Sequence, residues 1–165
     1  SPPTSYGGYG GNAEESFKYA FMVPSAWKSE TINKTEKGTQ GVDCKFTNPK
    51  VKGMKAFVIA LGRAGEDAKA FKITDVEGTF ASFAGADYDI QDALTTADEV
   101  TTKTRDGENG DVFFEYDIDS PINHYQASIS TKRGKIFALF IKTPGAAYNA
   151  NKELTNTMLK SFTTL

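Results

Sequence analysis

A lone cysteine, Cys44, in 165 residues excludes an intramolecular disulfide. A lone histidine, His124, excludes a multi-histidine metal centre and leaves a Ser-His-Asp apparatus with one candidate base. No stretch of 18 apolar residues occurs, so no helical membrane span is expected. A net charge of −2 provides no bulk attraction for nucleic acid. The first residues lack the charged and apolar regions of a signal peptide. What is present suffices for one ordinary domain, the usual length being about 100–200 residues: 39% hydrophobic and 12% aromatic residues predict a packed core that needs no metal or cross-link.

Residues 1–15 are rich in Pro, Gly and Ser and show no hydrophobic period, which predicts a flexible arm ahead of a domain over 16–165. Phe17, Tyr19, Phe21 and Val23 alternate at period two up to Pro24, predicting an opening strand, after which Trp27 is expected to fold back onto the core. Residues 31–37 are expected to form a second strand. Residues 42–47 are expected to form a third that places Val42, Cys44 and Phe46 on one face, with Cys44 a buried, inert thiol. Residues 56–61 (AFVIAL) are apolar on both faces, as a strand covered on both sides must be.

A helical block is expected next. Thr74 and Glu77 have capping-box spacing, and Val76, Phe80 and Phe83 share a face. Asp89 is placed to cap a short second helix with the stripe Ile90, Ala93, Leu94 and Ala97. A meander follows. Residues 99–105 form a polar strand near an edge, Asp106-Gly107-Glu108-Asn109-Gly110 is hairpin chemistry, and residues 112–119 alternate. Ser120-Pro121 turns the chain into a strand over 122–131, and Lys132-Arg133-Gly134 turns it into 136–141, again apolar on both faces. A helix over 147–161 closes the chain with Leu154, Met158, Leu159 and Phe162 facing inward. Two strands buried on both sides require two covers, so the expected fold is α+β: an α/β/α sandwich around a central, mostly antiparallel sheet.

The aromatic strand running into Pro24 and Trp27, the strand ending at Asn48-Pro49, and the closing helix running into Lys160-Ser161-Phe162 together resemble the PsbP family. The likeness spans nearly the whole of 16–165. It implies a PsbP/Mog1-like fold, a luminal position peripheral to the thylakoid membrane of a chloroplast, and docking on photosystem subunits without catalysis. The short Gly/Tyr-rich arm stands where PsbP carries a longer segment, which implies a PsbP-domain relative serving assembly, stabilisation or repair. Two alternatives stay open: a small-ligand or enzymatic domain with a pocket on the same sheet, and a Mog1-type regulatory interaction module.

Candidate site residues divide into three sets. Residues 28–72 hold ten Lys/Arg against five Asp/Glu, whereas 73–102 hold seven acids and no Lys or Arg. Within the basic part, Lys50, Lys52 and Lys55 crowd one loop, which is expected to bind an acidic partner or else simply to stay solvated. If Ser120-Pro121 is a two-residue turn, Asp119 faces Ile122, Asp117 faces His124 and Glu115 faces Gln126. Asp117 is then expected to favour the charged imidazolium of His124 as the lumen acidifies, the alternative being a solvated cross-strand pair. Asp87, Asp89 and Asp92 offer oxygens to calcium, but the EF-hand loop pattern is missing and helix capping accounts for them, so no cofactor is expected. Gly62-Arg63-Ala64-Gly65 lacks the phosphate-loop pattern, and the sequon at Asn33 matters only on a secretory route. A monomer is expected.

Overall fold

The computed structural model describes residues 4–7, 19–34, 41–61, 93, 95–107, 111–132 and 135–164. The expected helical block over 74–92, including the capping box and Asp87, Asp89 and Asp92, lies outside them, as do Phe17 and residues 35–40.

Ten strands and one α-helix are described: β1 (Thr4–Gly7), β2 (Tyr19–Val23), β3 (Lys28–Ser29), β4 (Val42–Thr47), β5 (Lys55–Leu61), β6 (Glu99–Asp106), β7 (Val112–Asp119), β8 (Asn123–Lys132), β9 (Lys135–Pro144), α1 (Tyr148–Ser161) and β10 (Thr163–Thr164). Seven of them form one sheet in the order β3-β4-β5-β9-β8-β7-β6, and a smaller sheet has the order β1-β2-β10. Every strand pair is antiparallel. The architecture is the α+β one expected from the sequence.

Burial follows the sequence period. In β4, buried and half-buried residues alternate strictly, with Val42, Cys44 and Phe46 inward. The central strands β5 and β9 feed two cores. Ala56, Val58, Phe137, Leu139 and Ile141 join Tyr19, Phe21, Trp27, Met158, Leu159 and Phe162 on the α1 side. Phe57, Ile59, Ile136, Ala138 and Phe140 join Tyr116, Ile118, Tyr125 and Ala93 on the other. β6 is the polar edge strand, exposed along nearly its whole length. No helix among the described residues is long and apolar enough to cross a membrane.

Three local expectations are revised. Residues 31–34 are not a strand: pairing with β4 is made earlier, by Lys28 and Ser29, and ends where the Glu30 N–H reaches the Lys45 carbonyl at 2.8 Å. Thr4–Gly7, inside the expected arm, pairs with β2 along the edge that β10 leaves open. The β7–β8 connection is longer than two residues, so Asp119 faces His124, Asp117 faces Gln126 and Glu115 faces Ser128. The Ile122 carbonyl is held by the Gly145 N–H at 2.9 Å, and Pro121 lies so close to Gly145 that a Cβ there would meet the Pro121 carbonyl oxygen at 2.1 Å. Only glycine lets this turn rest against the start of α1.

Cys44 is buried, and burial pushes its thiol from an ordinary 9.0 up to about 12. The neighbouring Tyr19 hydroxyl donates to Asp43 Oδ2 at 2.5 Å, and burial, followed by the nearby Cys44 and Asp43, holds it well above its ordinary 10.0. Both groups keep their protons in the folded chain at pH values where the unfolded chain has lost them. Their contribution to stability is therefore complete below about pH 9 and declines as pH rises, by up to about 1.4 kcal/mol per pH unit for each group. Urea unfolding at pH 8 and pH 10.5 checks this: the midpoint is expected to fall, and the fall to shrink in Cys44→Ala relative to its own value at pH 8.

Candidate functional site

The basic loop joins β4 to β5 and is built by local bonds. Asn48 Oδ1 accepts the Lys50 N–H at 2.8 Å, the Asn48 N–H reaches the Met54 carbonyl, and Met54 N–H reaches Val51. Gly53 sits at φ +86°, a conformation that β-carbon-bearing residues resist. Met54, almost fully buried, pins the loop to the core. Lys50 and Lys52 are exposed on this tight turn. Lys55 departs from the grouping: it is the first residue of β5, half-buried, with its ammonium 5.2 Å above the Phe57 ring, and it faces Lys142 across the strand pair. Two of the three expected lysines therefore form the projecting feature, and the third extends the positive charge onto the sheet.

The second candidate set lies on the opposite half of the sheet, beneath α1. His124 Nε2 is 2.7 Å from Asp117 Oδ1, and Nδ1 is 3.5 Å from Asp119 Oδ1. The expected partner is right although the register moved, because a two-residue shift keeps every side chain on its face and makes Asp117 the diagonal neighbour instead of the facing one. The imidazole is shielded, whereas the Asp117 and Asp119 side chains are 37% and 55% exposed. His124 is 5% exposed because the Tyr148 ring stacks on it at 3.5 Å between centroids and 4° between planes. The Nε2 contact with Asp117 is one of proximity, without the alignment of a hydrogen bond. Burial, and then the charges of Asp117 and Asp119, raise the Tyr148 phenol above its ordinary value.

Glu115, on the same face, is 3% exposed and is held by Arg105 Nε, which donates to Oε2 at 2.8 Å. Gln126 is 2% exposed and donates through Nε2 to Asn156 Oδ1 of α1 at 2.7 Å. Between α1 and strands β6–β8 runs a cleft of about 350 Å³, lined by residues that include Thr101, Asp117, Gln126, Tyr148, Lys152 and Asn156. The polar cluster is thus larger than Asp117 and His124. The missed members carry a readable signal: Tyr148, Lys152 and Asn156 recur at four-residue spacing, which is one face of a helix. Among the described residues no group of three or more His, Cys, Asp or Glu is arranged to hold a metal ion.

Comparison with known proteins places this fold. The PsbP family model matches residues 9–164. The chain is 31% identical over 163 residues to the thylakoid lumenal 19 kDa protein, chloroplastic, of Arabidopsis thaliana, an alignment covering 98% of this chain and 69% of that one. The solution structure of cyanobacterial PsbP from Synechocystis sp. PCC 6803 superposes with a TM-score of 0.62 over 89% of this chain and 86% of that one. At 22% identity this second likeness is one of fold. An aromatic β2 packed against α1, a sheet buried on both faces at its centre and a match along nearly the entire chain lead to one statement: the chain belongs to the PsbP family.

Proposed function

We propose that this protein is a non-catalytic thylakoid-lumen protein, peripheral to the membrane, that docks on the luminal side of a photosystem for its assembly, stabilisation or repair. The luminal setting is carried over from the named relative and the family. The observation that supports docking is the β4–β5 loop, a stiff turn that holds Lys50 and Lys52 in solvent with Lys55 at its base. Charges held this way speed and orient encounter with an acidic surface, and salt weakens them because the screening length falls from about 10 Å at 0.1 M to about 3 Å at 1 M. Asp117 and His124 enter the proposal as the pair that, with Tyr148, seats α1 on the sheet and keeps the docking scaffold rigid.

Co-sedimentation with thylakoid membranes at low salt tests the loop. The Lys50→Glu/Lys52→Glu protein is expected to bind about tenfold more weakly than wild type, with the two converging at high salt. Both side chains are exposed, so folding is expected to be unaffected. Equal binding at low salt would remove the loop from the docking surface.

A further inference from the structure

The cleft between α1 and strands β6–β8 has a volume, about 350 Å³, that falls among those of small-molecule sites. Its lining is chemically divided. On the sheet side, Gln126 is pinned through Nε2 to Asn156 Oδ1, while its Oε1 is buried and has no hydrogen-bond partner. Beside it, Asp117 has Oδ1 against His124, while Oδ2 accepts no hydrogen bond among the described residues. Two acceptors on one wall without donors are suited to a group with several N–H bonds. On the helix side Lys152 is exposed, and its ammonium has no partner among the described residues. Lys103 also lines the cleft and lies 3.9 Å from Glu115.

The charged lining residues are Lys103, Lys152, Glu115 and Asp117; Glu115 is already paired with Arg105, which leaves the Asp117 carboxylate and the two lysines to meet a ligand. A ligand of either net charge would leave part of this set uncompensated in a half-enclosed site. A phosphate would meet the Asp117 carboxylate and Gln126 Oε1, and a simple cation would meet two lysines. A molecule that is neutral in total and charged at its ends meets neither obstacle. We propose that this cleft binds a small zwitterion of the amino-acid or dipeptide class, with its ammonium on Asp117 and Gln126 Oε1 and its carboxylate on Lys152. The Leu159 side chain and the Tyr148 ring supply the apolar wall for the remainder. This site is on the sheet half away from the basic loop, and the proposal does not rest on the docking reading.

The test is an NMR titration of the full chain with glycylglycine, with its N-acetyl form, which lacks the ammonium, and with its amide, which lacks the carboxylate. Glycylglycine is expected to give saturable shifts in the side-chain amides of Gln126 and Asn156, and each capped form to bind about tenfold more weakly, the usual penalty for one lost charge-assisted bond. Lys152→Ala, a change at an exposed helix position, is expected to weaken glycylglycine about tenfold while leaving the amide form unchanged. Asp117→Asn is expected to do the same with the N-acetyl form as its unaffected probe. Gln126→Met adds a check on the buried acceptor, and the two exposed-side variants decide the matter if that protein does not fold. Shifts that fail to saturate, equal affinity for the three probes, or indifference to Lys152→Ala would overturn the assignment.

Discussion

Replacing Arg105 by alanine is expected to destabilise the protein by about 3–5 kcal/mol, the usual consequence of leaving a buried charge without its partner. Arg105 lies on the edge strand β6, yet its guanidinium reaches two residues of β7 and the end of α1. Nε donates to Glu115 on β7 at 2.8 Å, Nη2 donates to the Phe162 carbonyl just past α1 at 3.0 Å, and the group stands 4.3 Å from the Phe113 ring centroid. The 3% exposed Glu115 would retain only Lys103, 3.9 Å away and itself 64% exposed, a weak and screened substitute. If the loss arises from the stranded carboxylate, Glu115→Gln in the Arg105→Ala background should recover part of it, and a double-mutant cycle measured by urea unfolding gives the coupling directly. An Arg105→Ala cost below about 1 kcal/mol would mean that Glu115 finds water or another cation.

A loss of similar size, about 3–5 kcal/mol, is expected for Phe162→Ala, because a fully buried ring would be replaced by a cavity. The Phe162 ring meets Phe113 edge-on at 5.8 Å and Tyr19 at 6.0 Å, joining the end of α1 to β7 and to the opening strand β2. The residue also begins the exit from α1 into β10, which pairs with β2 through Thr163 and Thr164. Chemical denaturation should show a lower midpoint, and hydrogen exchange should show lost protection concentrated in β2, β10 and the last turn of α1. Loss confined to the last turn of α1 would place Phe162 outside the shared core.

Most of the sheet was legible because its strands alternate or are apolar throughout. Val42, Cys44 and Phe46 give the period of a half-covered strand, and 56–61 and 136–141 give the run of one covered on both faces. Edge position was equally legible in β6, where Thr101, Thr102, Lys103 and Thr104 leave nothing to bury. What failed were features fixed by contacts distant in sequence. The β7–β8 register depends on a turn braced by Gly145, well downstream in the chain, and Ser120-Pro121 alone carries no trace of it. Burial of Glu115, Gln126 and His124 was hidden for a related reason. A polar face on a strand reads as solvated until a helix is placed over it, and the helix that covers this one presents Tyr148, Lys152 and Asn156 in place of an apolar stripe. The basic loop was visible as composition, but the separation of Lys55 from Lys50 and Lys52 follows from where β5 begins.

Affinity capture from detergent-solubilised thylakoids, performed at low and high salt with wild type and the Lys50→Glu/Lys52→Glu protein, bears most directly on docking by charge. Photosystem subunits are expected with wild type at low salt, depleted at high salt and depleted with the double variant. Recovery of the same subunits by the variant, or their absence from the wild-type sample at low salt, would contradict it.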